Sequence, residues 1–430
     1  MDKCRFLFSL MTLSLVSASP LTFAIESETL AFAPPSQLSH HLQPTDVETT
    51  PVDLSESLTH PPQNQLDKLH TEMMRMEALA MQMDWPRLNR SRLLSFGDYH
   101  AQVPVLREML IHLGDLKETR DEMQSHLFDL ELHHALVRFQ KRHGAKADGI
   151  LGPATRKQLN ISPQKRAEQI LLNIYRMNSF QPENDQYIQV NVPDYKLHLF
   201  DQGVETMTMK TIVGKRKRKT PIFATEINRV VVNPSWYVPK SIAYKDILPI
   251  YEEDPTYLDK KNLKVVTGWG AQRRLIPDEE IDLDRMYKGD SYQRLWEPPG
   301  EGNTLGKVKF LTNGPYSVYL HDTSAKRLFD EDKRAFSSGC IRVEQPKKLA
   351  DALLKMSNQL PVTQVDDLFS KTKTARVKLD KPIKLYVTYW TSWVDSKGNL
   401  NFRDDLYRRD RYELSQLKNG SAQEIFMTSY

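Results

Sequence analysis

The sequence predicts a multidomain α+β protein: a mostly-β sandwich with an inserted lid, a small three-helix domain ahead of it, and flanking helices. Three observations predict it. Between 64 and 178, apolar residues recur at helical spacing, divided by turn residues. From 186 onward, β-branched and aromatic residues alternate with polar ones, as in half-buried strands. Residues 240–300 break that rhythm, which marks an insertion. The chain has 430 residues, enough for two or three domains. Its net charge of +4 is too small to argue for a nucleic-acid partner.

The N-terminus has the pattern of a secretory signal peptide over 1–24. Lys3 and Arg5 precede an apolar run, Phe6–Val16, followed by small residues around Ala18 and Ala24, where cleavage is expected. The run is too short to span a membrane, and no second apolar run approaches that length. Residues 25–63 hold Pro34, Pro35, Pro44, Pro51, Pro61 and Pro62 among polar residues without a period. They read as a disordered tether or as a terminus with no role.

Leu66, Leu69, Met73, Met76, Ala80 and Met83 then define an amphipathic helix within 64–98, ending near Trp85-Pro86. Its Met stripe reads as core packing rather than a metal or partner site. A compact unit follows over 99–160. Val103, Leu106, Leu110 and Leu113 make one helix, closed by Gly114. Asp129–Arg142 makes the next, with Leu132, Leu136 and Phe139 inward. After the Asp148-Gly149 turn, Pro153 opens the last helix, through Leu159. Ala167, Ile170, Leu171, Ile174 and Met177 place a connecting helix in 161–185, which can pair with the first helix as a collar. His126, His133, His134 and His143 fall in or beside the three-helix unit. Without cysteine or Glu-x-x-His spacing they read as exposed polar residues, and no metal is expected.

Strands dominate 186–365, with turns at Asp201-Gln202-Gly203 and Asn313-Gly314. Lys215–Lys219 is a basic run, read as a contact to anionic polymer or as a solvated tip. The 240–300 insertion carries Tyr244, Tyr251, Tyr257, Trp269, Tyr287, Tyr292 and Trp296; it reads as a lid, with a plain packing subdomain as the alternative. In 366–430, Ala375–Leu379 and Ile383–Trp390 look like added strands, with a turn at Asp395–Gly398.

The chemistry concentrates in Tyr319–Val343, YLHDTSAKRLFDEDKRAFSSGCIRV. Ser317–Leu320 reads as a strand that delivers His321, and Cys340 follows a loop at the start of another strand. Gly339 permits a backbone geometry that a Cβ hinders. The chain has two cysteines, and Cys4 leaves with the signal peptide, too early to anchor a lipid. Cys340 is then a single thiol in an oxidising compartment, where an unused thiol is a liability. A buried structural cysteine is the plain alternative. An ordinary thiol with a pKa near ~8.5 is only a few per cent thiolate at neutral pH, so His321 as base or ion-pair partner makes a nucleophile of it. The backbone N–H groups of Gly339 and Cys340 are candidate oxyanion donors. Asp322 or Ser338 is a candidate to orient the imidazole. Arg342 is a candidate anchor for a substrate carboxylate or else a solvent-facing charge, and Tyr319 is a candidate substrate contact.

His321-Asp322-Thr323 followed by Ser337-Ser338-Gly339-Cys340-Ile341-Arg342-Val343 resembles the signature of the bacterial L,D-transpeptidases. The resemblance extends over 186–365, through YIQVNVPDYKLHLFD at 187–201, Val213-Gly214-Lys215, Thr220-Pro221 and VNPSWYVP at 232–239. Many members carry His where this chain has Ser338, and Asn where it has Arg342. The 240–300 insertion and FRDDLY at 402–407 resemble the large, lid-bearing Gram-negative branch. ALVRFQKRHG at 135–144 with DGILGPAT at 148–155 resembles the three-helix peptidoglycan-binding module. The resemblance implies a periplasmic enzyme that needs no cofactor. Its thiol would attack a donor tetrapeptide stem at diaminopimelate, expel D-Ala and pass the acyl group to an acceptor stem as a 3→3 cross-link. It also implies acylation by carbapenems. A wall cysteine hydrolase, a sortase-like enzyme and a non-catalytic wall-binding protein are the other readings of a lone thiol with one histidine.

Overall fold

The computed structural model describes residues 63–118, 125–288, 292–358 and 360–419. The leader and, but for Gln63, the Pro-rich stretch expected over 25–63 lie outside the described residues. Among the described residues no helix is long and apolar enough to cross a membrane.

Five helices open the described chain: α1 (Gln63–Gln82), α2 (Val103–His112), α3 (Leu130–Arg142), α4 (Pro153–Leu159) and α5 (Pro163–Asn178). Helices α2 to α4 close on one apolar cluster that includes Leu106, Leu110, Leu132 and Phe139. Asp129 caps α3 by accepting from the Leu132 N–H at 2.8 Å. Gly114, at φ 79°, turns the chain after α2 in a conformation that a Cβ disfavours. Helices α1 and α5 pack on each other through Leu69, Met76, Ala167, Ile170, Ile174 and Met177, and share that core with Trp390 and Phe402. Leu171 is only half-buried; Leu172 is buried instead, against Leu417. Helix α5 is covered on two sides, so its apolar arc is wider than one stripe.

His143 corrects the expectation of an exposed histidine. It is buried between Phe139 and Phe402, with ring centroids 3.8 and 5.3 Å away, and its Nδ1 meets the Phe139 carbonyl at 2.8 Å. Burial, with Arg142 and Arg166 nearby, holds its pKa well below the usual histidine value. Among the described residues no group of three or more His, Cys, Asp or Glu side chains is placed to hold a metal.

The strands are β1 (Tyr187–Asn191), β2 (Lys196–Asp201), β3 (Val204–Gly214), β4 (Phe223–Val232), β5 (Trp236–Tyr237), β6 (Lys264–Thr267), β7 (Arg274–Leu275), β8 (Arg294–Glu297), β9 (Val308–Thr312), β10 (Leu320–His321), β11 (Ala335–Ser337), β12 (Ile341–Val343), β13 (Ala375–Thr388), β14 (Ser392–Val394) and β15 (Leu400–Phe402). The main sheet runs β11-β3-β12-β10-β9-β4-β13-β1-β2, and β2 also pairs with β3. The mostly-β core is therefore one sheet closed on itself. Its interior holds Ile188, Val190, Leu197, Val230, Phe310, Leu320 and Ile341, and the helix Pro346–Asn358 packs onto the same cluster. A closed sheet leaves few free edges and gives strand residues fixed inner and outer faces.

Three details differ from the expectation. Ala375–Leu379 and Ile383–Thr388 are one strand, β13, lying within the barrel between β4 and β1. Its register shifts between Lys378 and Ile383, where Pro382 has no N–H to give a ladder. The strand expected from Ser317 pairs only over Leu320–His321. It is joined to β9 through 313–319, longer than a tight Asn-Gly hairpin. The insertion has its own four-stranded sheet, β5-β8-β6-β7, and its own apolar cluster, including Trp236, Leu248, Val265, Met286, Leu295 and Leu305. That folded unit begins before 240 and ends after 300.

Candidate active site

Strand register gathers the candidate residues. Leu320 pairs with Ile341 and His321 with Arg342 across the parallel strands β10 and β12; the Ile341 N–H donates to the Tyr319 carbonyl at 3.1 Å. Leu320 and Ile341 are fully buried in the barrel interior. Alternation sends Tyr319, His321, Cys340 and Arg342 to the opposite, outer face. Lys309, opposite His321 in β9, joins them. Tyr319 also packs into the apolar cluster of the insertion, so the lid core reaches the residue beside the thiol.

The turn before Cys340 is held by side chains the sequence reading left unassigned. Ser337 Oγ donates to the Cys340 carbonyl at 2.5 Å and accepts from the Gly339 N–H at 3.1 Å. Thr220 Oγ1 donates to the Gly339 carbonyl at 2.8 Å, and Tyr407 Oη donates to the Gly214 carbonyl while accepting from the Thr220 N–H. Gly339 sits at φ 120°, a conformation a side chain would strain. This corrects one expectation: the Gly339 N–H already has an acceptor. Among the described residues the Cys340 N–H has none, so of that pair it alone is left able to donate. Ser337 was visible as the Ser of Ser-x-Gly-Cys; Thr220 and Tyr407 carried no signal of their contact.

Cys340 is half-buried, and its Sγ lies 3.9 Å from the Ser317 carbonyl. Burial pushes the thiol pKa up, while Tyr319, Arg342 and Lys309 pull it back. His321 is buried, and burial first, then Arg342, lowers its pKa to about 3. Its Nδ1 lies 2.5 Å from the Asp322 carbonyl, which can only accept, so Nδ1 carries the proton and Nε2 keeps its lone pair. Both shifts favour the neutral thiol and the neutral imidazole over an ion pair. Asp322 orients the ring through its main chain; its carboxylate serves the N–H groups of Thr323 and Lys307 and the Lys326 ammonium. Among the described residues Ser338 makes no hydrogen bond to the imidazole; its Oγ accepts from Arg218 Nη1 at 2.9 Å.

Arg218 makes the basic run more than a solvated tip. Its Nη2 donates to Asp246 Oδ1 at 2.8 Å and its Nη1 to the other carboxylate oxygen. Asp246 lies in a π-helical turn of the insertion, Ala243–Ile247. One guanidinium therefore ties the insertion to the residue two before the nucleophile. With Asp246 at 37% exposure the pair contributes about 1 kcal/mol, roughly fivefold in an equilibrium. Arg218→Ala is expected to speed hydrogen exchange in 240–250 and alkylation of Cys340 by that factor. The Arg218→Asp/Asp246→Arg double variant should restore both. Unchanged exchange in Arg218→Ala would show that the pair holds nothing.

This barrel, with a thiol and an imidazole on its outer face, lies within residues 185–369, which match the family model described as an L,D-transpeptidase catalytic domain. Residues 99–159 match the model described as "Putative peptidoglycan binding domain". The chain thus carries a stretch similar to the L,D-transpeptidase catalytic domain, with the match to the peptidoglycan-binding model ahead of it. It is 33% identical over 258 residues to a Haemophilus influenzae protein named "Putative L,D-transpeptidase", covering 60% of this chain and 50% of that one. The chain therefore spans about half the length of that relative. A solved L,D-transpeptidase of Stackebrandtia nassauensis is 13% identical, covers 70% of this chain and 96% of its own, and superposes with a TM-score of 0.25. For the Enterococcus faecium L,D-transpeptidase C442S mutant the values are 11%, 49%, 54% and 0.20. These scores are too low for the superpositions to bear on function.

Proposed function

We propose that the protein is a periplasmic peptidoglycan L,D-transpeptidase that forms 3→3 cross-links through a thioester on Cys340. One observation carries the reading: Cys340, His321, Tyr319 and Arg342 share the outer face at the β10–β12 junction, in a catalytic domain of this family. His321 Nε2 takes the thiol proton as Sγ attacks the diaminopimelate carbonyl of a donor tetrapeptide. The Cys340 N–H and the Tyr319 phenol receive the developing oxyanion. Collapse breaks the bond to D-Ala, whose amine leaves with the proton from His321. An amine of an acceptor stem then attacks the thioester, His321 takes its proton, and the thiol is regenerated.

Arg342 has no acceptor for its buried Nε among the described residues, which suits a guanidinium waiting for a substrate carboxylate. The insertion acts as the lid that holds the donor stem, and the 99–160 module holds the enzyme on murein. The N-terminal leader pattern supports the periplasm as its compartment. Neither a cofactor nor a nucleic-acid partner enters this scheme.

The test is product mass spectrometry with purified tetrapeptide stems. Dimers that have lost one D-Ala per cross-link, with the linkage sequenced as 3→3, are the expected result. Tripeptide and D-Ala alone would mean a hydrolase. Linkage to a different nucleophile would mean a sortase-like enzyme, and intact stems a wall-binding protein.

A further inference from the structure

We propose that the outer face of the barrel carries an anion track, running from Arg342 across the strands to Arg376, that receives the several carboxylates of a peptide laid over it. The proposal rests on the site reading above and adds the direction and chemistry of the bound chain. The track follows from register alone. Arg342 in β12 stands opposite His321 in β10, His321 opposite Lys309 in β9, Lys309 opposite Val231 in β4, and Val231 opposite Arg376 in β13. In-register neighbours share a face. That face is the outer one, because Ile341, Leu320, Phe310, Val230 and Val232 fill the interior. Arg229 and Lys378, opposite each other one step along β4 and β13, lie on the same face.

Five cations therefore occupy one surface, and among the described residues none has an acidic partner: Arg229, Lys309, Arg342, Arg376 and Lys378 are absent from every ion pair. The contrast lies on the same strand. Lys384, further along β13, is neutralised twice, by Glu183 and by Glu226. Lys309 is half-buried, with its ammonium 5.7 Å from the Tyr319 ring. Its pKa is lowered, by burial first and then by Arg376. Like charges directly opposite, as at Arg229 and Lys378, destabilise a sheet. Cations gathered at a cost to the fold and left without acids suit an anionic ligand better than a structural role.

Four strand spacings separate Arg342 from Arg376, at most about 19 Å along the curve of the closed sheet, and the long arginine side chains at its two ends shorten the gap a stem has to bridge. A peptide with free carboxylates along its length, such as a diaminopimelate-containing stem, meets that charge pattern, with its reacting carbonyl at the Cys340 end.

The experiment compares a tetrapeptide stem bearing free carboxylates with the same stem amidated, binding each to Cys340→Ala by calorimetry and following turnover by the wild type. Lys309→Gln is expected to weaken binding of the free-acid stem roughly tenfold, as for loss of a half-buried charged contact. Arg376→Gln, at an exposed position, should weaken it about threefold. Lys309→Arg should restore it. The amidated stem should bind the unmutated surface at least as weakly as the free stem binds Lys309→Gln. Only the free stem should lose affinity as salt rises from about 50 to about 300 mM. In turnover, the loss in Arg376→Gln, which lies away from the thiol, should appear in KM with kcat held. Equal binding of the two stems, or equal losses for both in Lys309→Gln, would overturn the track. Carboxylate-dependent binding without any turnover would sink the enzymatic reading and leave the track standing. Turnover indifferent to amidation would do the reverse.

Discussion

Cys340→Ala is expected to transfer no acyl group and to fold as the wild type does. The substitution removes one half-buried sulfur at the start of β12 and leaves the Ser337, Thr220 and Tyr407 contacts that hold the turn. Its stability should stay within about 1 kcal/mol of the parent. Cys4 is the one other cysteine in the sequence, and under the proposed periplasmic reading it is removed with the leader, so no second thiol would substitute. The check is stem consumption and melting temperature on the same sample. Any turnover by a folded Ala variant would remove Cys340 from the chemistry.

His321→Ala is the second large effect. Acylation should fall by ~10²–10⁴, the usual contribution of a general base, while Cys340 still reacts with a small alkylating agent. The pH profile separates a base from a mere neighbour. With its pKa lowered to about 3, the imidazole is neutral throughout the ordinary range, so wild-type acylation should not drop through the usual histidine titration. The drop should come only as pH falls toward about 3. Stability follows the same sign. The folded pKa is depressed, so the unfolded chain binds the proton first. The stabilisation is complete above the unfolded value near ~6.5 and is lost as pH falls toward the folded one. His321→Ala should flatten part of that acid slope; His143, lowered in the same direction, keeps the rest. An unchanged acylation rate in His321→Ala would take the residue out of the mechanism.

The outer-face grouping was legible because it rests on local signals. Strand alternation places every second residue on one face, and the Ser-x-Gly-Cys motif fixes where the turn falls. What was illegible depends on contacts distant in sequence. Whether the Gly339 N–H is free depends on the rotamer of Ser337, and the role of Ser338 depends on Arg218, 120 residues earlier. The insertion's tie to the Cys340 turn links Arg218 to Asp246, which no period or motif announces. Strand β13 was read as two pieces because Asp380-Lys381-Pro382 has loop chemistry, although in the barrel it is a bulge. Leu171 and Leu172 were exchanged because an arc buried on two sides has no sharp edge in the helical pattern. His143 looked like a surface residue because its partners, Phe139 and Phe402, lie in different parts of the chain.

The central claim is the thioester at Cys340, and intact-protein mass spectrometry tests it most directly. The enzyme is mixed with a tetrapeptide donor, without an acceptor, and quenched in acid. The account predicts that the protein gains the mass of the donor less D-Ala, that digestion places the adduct on the peptide containing Cys340, and that hydroxylamine removes it. Donor consumption with the protein mass unchanged, or an adduct on any other residue, would contradict it.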